Sequence, residues 1–473
     1  MFACLPAHAG TFGLEGLPGQ APGPAKIECQ GRTISAGNRL LKASWVTTDE
    51  GIKLVSVAAL GQNQSLSFTG ELFVVTFADG RRYAASGLAP QGKPRVSRFR
   101  PDSKAARLAA GCRGWQVELP LLSADGQFGV TWRALALDNA NYFRQEIEVT
   151  VGDANRAVKE MGWLAQPIPG SEEAGQVDGS PVVAGDFFYG LEDPHAQSGC
   201  RLRRDAPLSR GERQSFVLGV ASPGQMRRAF LYYLERERAH PYRPFLHYNS
   251  WYDIAWEPFA PNQTNCLEAK ELLGERFLKP HRVKMDAIVF DDGWDDPRTL
   301  WQFHRGFPRG FTPLAERCGQ YHTRLGVWLS PFGGYGQPKE QRLRFGSEQG
   351  YETNAAGFSL SGPKYYAAFK NACVGMIRKY GVNHFKFDGI AAGMYASGGA
   401  DYFRDTQAMR RLMLELRQED PGLYINLTTG SWPSPFWLRF ADSIWRQGGD
   451  MGLAATLPSS RCTVTLRGGR AEG

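Results

Sequence analysis

Nowhere in this 473-residue chain do about 18 apolar residues follow one another, so no segment reads as a membrane-spanning helix. A concentrated block of positive charge is also missing. The net charge is +8, but the arginines are scattered, as at Arg201, Arg203, Arg204, Arg410 and Arg411, and form no basic stripe interleaved with aromatic rings. Nucleic acid is therefore not an expected partner. The eight cysteines (Cys4, Cys29, Cys112, Cys200, Cys266, Cys318, Cys373 and Cys462) contain no Cys-x-x-Cys pair and none sits near histidine at zinc-like spacing. No structural metal is expected. They are widely spaced in a chain long enough to fold without staples, so disulfides would matter only in an exported protein.

What is present is ordinary in bulk: 42% hydrophobic and 22% charged residues, which excludes intrinsic disorder. The length calls for two or three domains unless a large α/β barrel, of about 250 residues, absorbs much of it. Twelve tryptophans are available either as core filler or as platforms for sugar rings. Residues 1–9 end in Ala7-His8-Ala9, the small-residue pattern read by a signal peptidase, and are expected to be a residual signal-like segment of an exported (periplasmic or secreted) protein.

Residues 10–222 read as a β-sandwich. Short alternating runs such as Leu72–Phe77, Val130–Leu135 and Phe143–Val151 are separated by turn signals such as Ala78-Asp79-Gly80 and Ala124-Asp125-Gly126. Residues 223–244 read as a linker helix and linker, with apolar residues at helical spacing over Met226–Arg238. From 245 to 452 short apolar strands alternate with helices. Strands are expected at Phe245–Trp251, Ala287–Gly293, Leu325–Pro331, His384–Gly389, Leu423–Gly430 and Ser443–Asp450. This alternation means a parallel sheet, here a (β/α)8 TIM-type barrel, with a doubly wound sheet disfavoured because no glycine-rich phosphate loop follows the first strand. Only about six of eight strands are counted. The 23 residues after Asp450 are too few for two more βα units, and 453–473 forms an atypical tail. The barrel is therefore expected to be incomplete, from truncation or a shifted reading frame.

Acids stand at three of the strand ends: Asp291-Asp292, Asp388 and Asp450. On a barrel such positions converge on one mouth. One such acid alone often caps the next helix, but three sets at one mouth fit glycoside hydrolysis, which needs two carboxyl groups flanking the scissile bond. Lys386 lies two residues before Asp388, on the same face of a strand, while Phe385 and Phe387 point the other way. Arg446 precedes Asp450 and is cast as a donor to a sugar hydroxyl, since a guanidinium beside a general acid would hold it ionised.

These pieces together resemble the α-galactosidase (melibiase-type) clan of glycoside hydrolases, in the bacterial branch that carries a sandwich before its barrel. Tyr380–Gly389 is similar to the clan's nucleophile segment and Trp445–Asp450 to its acid/base segment. Phe290-Asp291-Asp292-Gly293-Trp294 resembles its second-strand motif, and Asn249-Ser250-Trp251 fits its first strand. Phe307–Phe311 and Leu325–Leu329 continue the match in family order.

The resemblance implies a retaining enzyme with Asp388 as nucleophile and Asp450 as acid/base. It implies Asp291, Asp292, Lys386 and Arg446 as hydroxyl-binding groups, and Trp251 or Trp294 against the sugar face. The substrate would be an oligosaccharide or glycoconjugate, with no cofactor required; the oligomeric state is left open. Two departures stand out. Asn383 occupies a position where the clan usually has Asp, and the fifth-strand loop Asn426–Trp432 matches neither common version. The choice between galactose and N-acetylgalactosamine therefore stays open. Two alternatives also remain: a same-fold glycosyl transferase of raffinose-synthase type, and an inactive, truncated carbohydrate-binding fragment.

Overall fold

A computed structural model describes residues 16–152, 156–164, 168–175, 178–254, 261–390, 399–428 and 433–445. The chain divides into two compact units, Met1–Arg243 with Trp432–Arg439, and Pro244–Ser431 with Phe440–Gly473.

The first unit is strand-rich and antiparallel. Lys26–Gln30, Thr33–Gly37, Leu41–Thr47, Ile52–Ala59 and Gln64–Ser67 form a five-stranded meander. Gly114–Ser123, Gly129–Leu137, Tyr142–Val151 and Arg213–Val220 are the centre of a nine-stranded sheet. Period-two alternation sets the inner face: Leu41, Ala43 and Trp45 are buried while Lys42 is exposed. The Trp45 ring meets Trp132 and Phe143 of the larger sheet at 5.5 and 5.4 Å. The Gln145 carboxamide oxygen accepts from both indoles, at 2.7 Å from Trp45 and 3.3 Å from Trp132. Two inner faces thus interdigitate as in a sandwich.

The helix Met226–Glu237, read from sequence as part of a linker, packs into this same unit. Tyr233 lies edge-on to Tyr142 at 5.0 Å. Below it runs a buried ionic network in which Arg144 bridges Glu192 (2.7 Å) and Glu237 (2.6 Å). The short 3-10 helix Pro435–Arg439, assigned by sequence to the second domain, belongs here as well. Phe436 joins the core around Tyr233, and Arg439 donates to the Glu192 carbonyl at 3.1 Å.

The second unit contains six strands: β1 (His247–Asn249), β2 (Ala287–Phe290), β3 (Arg324–Leu329), β4 (His384–Phe387), β5 (Tyr424–Thr428) and β6 (Ser443–Trp445). They pair in sequence order and every neighbouring pair is parallel. All six overlap the strands expected from sequence. Helices Gln263–Leu273, Thr312–Gly319, Gly336–Gln349, Pro363–Tyr380 and Gly399–Glu419 make the crossovers. β2 is buried at all four positions, as a strand covered on both faces must be.

The sheet is strongly curled, a half-barrel. In a flat sheet β1 and β5 would lie about 19 Å apart at the usual strand spacing. Instead Phe245, just before β1, stacks on Tyr424 of β5 at 4.0 Å, and the His247 ring meets His384 of β4 at 4.7 Å. Residues of one inner face therefore fill the concavity. No described helix is long and apolar enough to cross a membrane. The six cysteines among the described residues are free thiols.

Candidate active site

Asp388 follows β4 directly, and its backbone N–H still bonds to Leu329 of β3 at 2.9 Å. Its carboxylate is half-buried. Trp328 Nε1 donates to Oδ2 at 3.1 Å, and the Tyr335 hydroxyl donates to Oδ1 at 3.2 Å. The next residue, Gly389, has φ +77°, and a Cβ there would lie 2.4 Å from the Phe332 ring. Only glycine lets the chain turn away so sharply behind the carboxylate.

Lys386 faces the same way, as the alternation of β4 predicts. Phe385 and Phe387 are buried on the opposite face, where Phe387 meets Phe369 of the helix behind it at 6.1 Å. The Lys386 ammonium donates to Asp291 Oδ2 at 2.7 Å and lies 5.9 Å from the centre of the Trp251 ring. Asp291 is 1% exposed. Burial raises its pKa, against the pull of Lys386, of the Asp292 N–H and of the Asn249 side chain. Ser250 Oγ accepts from the Asp291 N–H at 2.9 Å. The end of β1 therefore fixes the end of β2.

Asp292 is pushed up to about 6, chiefly by burial, while Arg342 acts in the opposite sense. Arg342 is itself buried. It holds Asp295 through two bonds of 2.9 and 2.7 Å, lies 3.6 Å from Asp292, and sits over the Trp301 ring at 4.5 Å. One concave mouth thus presents a desolvated carboxyl and ammonium pair, a second carboxyl poised to change charge near neutrality, and a carboxylate held at both oxygens.

The strand ends bring Asp291, Asp292, Lys386, Asp388 and Trp251 into this part of the second unit. Trp294 is a correction. It is fully buried, its Nε1 donates to the Trp328 carbonyl at 2.9 Å, and its ring packs on Phe303 at 5.1 Å, so it cannot offer a face to a sugar. It is instead the core residue that steadies Trp328. Arg446 and Asp450 lie outside the described residues, as does most of the fifth-strand loop. Sequence reasoning gave no role to Trp328, Asp295 or Arg342. Trp328 stood within the matched Leu325–Leu329 segment, but Arg342 lies in a polar helix with nothing in its spacing to mark it.

A strand-rich sandwich-like unit followed by a curled parallel sheet with acids at its strand ends is the arrangement of α-galactosidase-type glycoside hydrolases, and the chain has that fold. Among solved structures it is similar to the GH36 α-galactosidase AgaB from Geobacillus stearothermophilus, with 13% identity and a TM-score of 0.59 over 89% of this chain and 75% of that one. The galactosidase domain of the α-galactosidase-sucrose kinase AgaSK matches with 10% identity and a TM-score of 0.58, over 89% and 75% of the two chains. The α-galactosidase from Lactobacillus brevis matches with 11% identity and a TM-score of 0.55, over 89% and 72%. Structures of AgaA variants from Geobacillus stearothermophilus, at 12% identity, contain 1-deoxygalactonojirimycin, raffinose or stachyose. No protein-family model and no curated protein sequence matches the chain.

Proposed function

We propose that the protein is a retaining α-glycosidase that removes terminal α-galactosyl or α-N-acetylgalactosaminyl groups, with β1–β6 serving as six strands of a (β/α)8 barrel. One observation carries the reading: Asp388 stands at the carboxyl end of β4 with its carboxylate oriented by Trp328 and Tyr335, beside the desolvated Lys386–Asp291 pair.

In the proposed reaction an Asp388 oxygen bonds to the anomeric carbon as the glycosidic C–O bond breaks. The leaving oxygen takes a proton from a second carboxyl group, a role the motif gives to Asp450. That group, now ionised, removes a proton from water, which attacks the anomeric carbon and releases Asp388. Asp291 and Lys386 present an acceptor and a donor to adjacent sugar hydroxyls, and Trp251 supplies an apolar face. The two AgaA ligands raffinose and stachyose support a galactosyl oligosaccharide as substrate. Export is part of the proposal, and sequencing the mature N-terminus tests it.

Hydrolysis of p-nitrophenyl α-galactoside by the wild type and by Asp388→Asn tests the reading. The variant is expected to lose at least about a thousandfold in kcat, the order of loss when a nucleophile is removed from a preorganised site. The sugar first released by the wild type is expected to be the α-anomer by NMR. Full activity in the variant, or a β-anomer first, defeats the proposal.

A further inference from the structure

The strand Arg95–Phe99 lies on the edge of the nine-stranded sheet and, among the described residues, pairs only with Gly114–Ser123. Its register sets Arg98 opposite Trp115, Ser97 opposite Gln116 and Phe99 opposite Gly114. Alternation then puts Arg98 and Trp115 on one face, and Ser97, Phe99 and Gln116 on the other. The Arg98 guanidinium lies 3.7 Å from the centre of the Trp115 ring, and Gln116 Nε2 donates to Ser97 Oγ at 3.2 Å. Phe99 packs against the buried cluster around Tyr233, which anchors the strand to the core. Ser97, Arg98, Phe99, Arg100 and Gln116 line an open cleft of about 430 Å³ at this edge.

The cleft carries charge of one sign. Arg98 and Arg100 are exposed, and neither pairs with an acid among the described residues. Asp102, the nearest acid along the chain, accepts from the Lys104 N–H at 2.9 Å. Glu118, on the neighbouring strand, is shared by Arg95 and Arg133. Arginines on an edge strand discourage pairing with another chain. That role needs charge alone, not a guanidinium held over an indole beside an amide, a hydroxyl and a phenyl ring. Stacking occupies the face of the Arg98 guanidinium and leaves its N–H edge for an anion.

We infer that this cleft is a second carbohydrate site, which binds an acidic oligosaccharide. Arg98 and Arg100 take its carboxylate or sulfate groups. Ser97 and Gln116 meet ring hydroxyls, and Phe99 gives an apolar floor. The volume falls in the range of small-ligand sites and exceeds what one inorganic anion fills. The site lies wholly in the first unit and does not depend on Asp388.

Calorimetry on the full chain with trigalacturonate and with a sulfated carrageenan oligosaccharide, against neutral maltotriose, tests this and separates carboxylate from sulfate. At least one acidic sugar should bind saturably, and maltotriose should not. Arg98→Gln and Arg100→Gln should each weaken that binding about tenfold or more, the scale of a hydrogen bond between charged groups. Arg95→Gln, also exposed but paired with Glu118 and outside the cleft lining, should change it by less than about twofold. Urea midpoints and hydrolysis of p-nitrophenyl α-galactoside should stay at wild-type values in all three. Binding by a protein without hydrolase activity would support the site while defeating the reading of Asp388. No saturable binding of either acidic sugar, equal loss in Arg95→Gln and Arg98→Gln, or equal affinity for a single-stranded oligonucleotide of the same charge would overturn the inference.

Discussion

Replacing Lys386 with methionine should destabilise the second unit by about 3 kcal/mol at pH 7, and the loss should shrink as the pH falls. The pair it breaks is 2.7 Å long, with Asp291 1% exposed and the Lys386 side chain 18% exposed. Leaving one member of a buried ion pair alone costs about 3–5 kcal/mol. The lower end applies because water reaches the lysine head and because the Asp292 N–H at 2.9 Å and the Asn249 side chain still serve Asp291.

The pH dependence follows from the direction of the shift. Burial already raises Asp291, and without the ammonium it rises further. A carboxyl raised in the folded state binds its proton more tightly than in the unfolded chain. Its contribution is therefore whole below about pH 4, the unfolded value, and is lost as pH climbs through the folded value. Urea unfolding at pH 5 and pH 7 reads this directly. Asp291→Asn combined with Lys386→Met removes both charges and should recover to within about 1 kcal/mol of wild type. An equal deficit at both pH values, or a double variant no better than the single, would show that the pair is not a desolvated ion pair.

Other outcomes follow from the same geometry. Asp292→Asn should raise stability at pH 7 by up to about 3 kcal/mol and leave it unchanged near pH 4, because a carboxyl pushed up to about 6 stabilises the fold when protonated and penalises it when ionised; paired urea titrations check it. Arg342→Met strands the fully buried Asp295 and should cost about 3–5 kcal/mol, measured the same way. Gly389→Ala forces a side chain into φ +77° against Phe332 and should cost about 3 kcal/mol, with kcat falling more than KM changes as Asp388 shifts.

The strands of the second unit were legible because short, mostly apolar runs recur between helical segments, and two of them, Ala287–Phe290 and His384–Phe387, run directly into an acid. Their order followed from the regular alternation with helices. The helix Gly336–Gln349 left no comparable trace: it is largely exposed and polar, with only Arg342 and Gly346 buried. Its importance lies in one guanidinium whose partners, Asp295 and Gly333, come from other segments. The placing of Met226–Glu237 and Pro435–Arg439 was hidden for a similar reason. What decides it is a buried network among Arg144, Glu192, Glu237 and Arg439, residues up to 295 positions apart in the chain. In the site, period-two alternation was enough to put Lys386 and Asp388 on one face. It could not tell Trp251, at a strand end, from Trp294, whose burial depends on Phe303, Phe311 and Trp301 closing round it.

The central claim is that Asp388 forms a covalent bond to the sugar. Incubation with an activated fluorinated α-galactosyl donor, whose fluorine slows release of the enzyme-bound sugar, followed by proteolysis and peptide mass spectrometry, tests it most directly. The account predicts a single added fluorogalactosyl mass on the peptide holding His384–Gly389, at Asp388, and no such mass in Asp388→Asn. A label on any other carboxylate, or none on a protein that hydrolyses the unfluorinated galactoside, would contradict it.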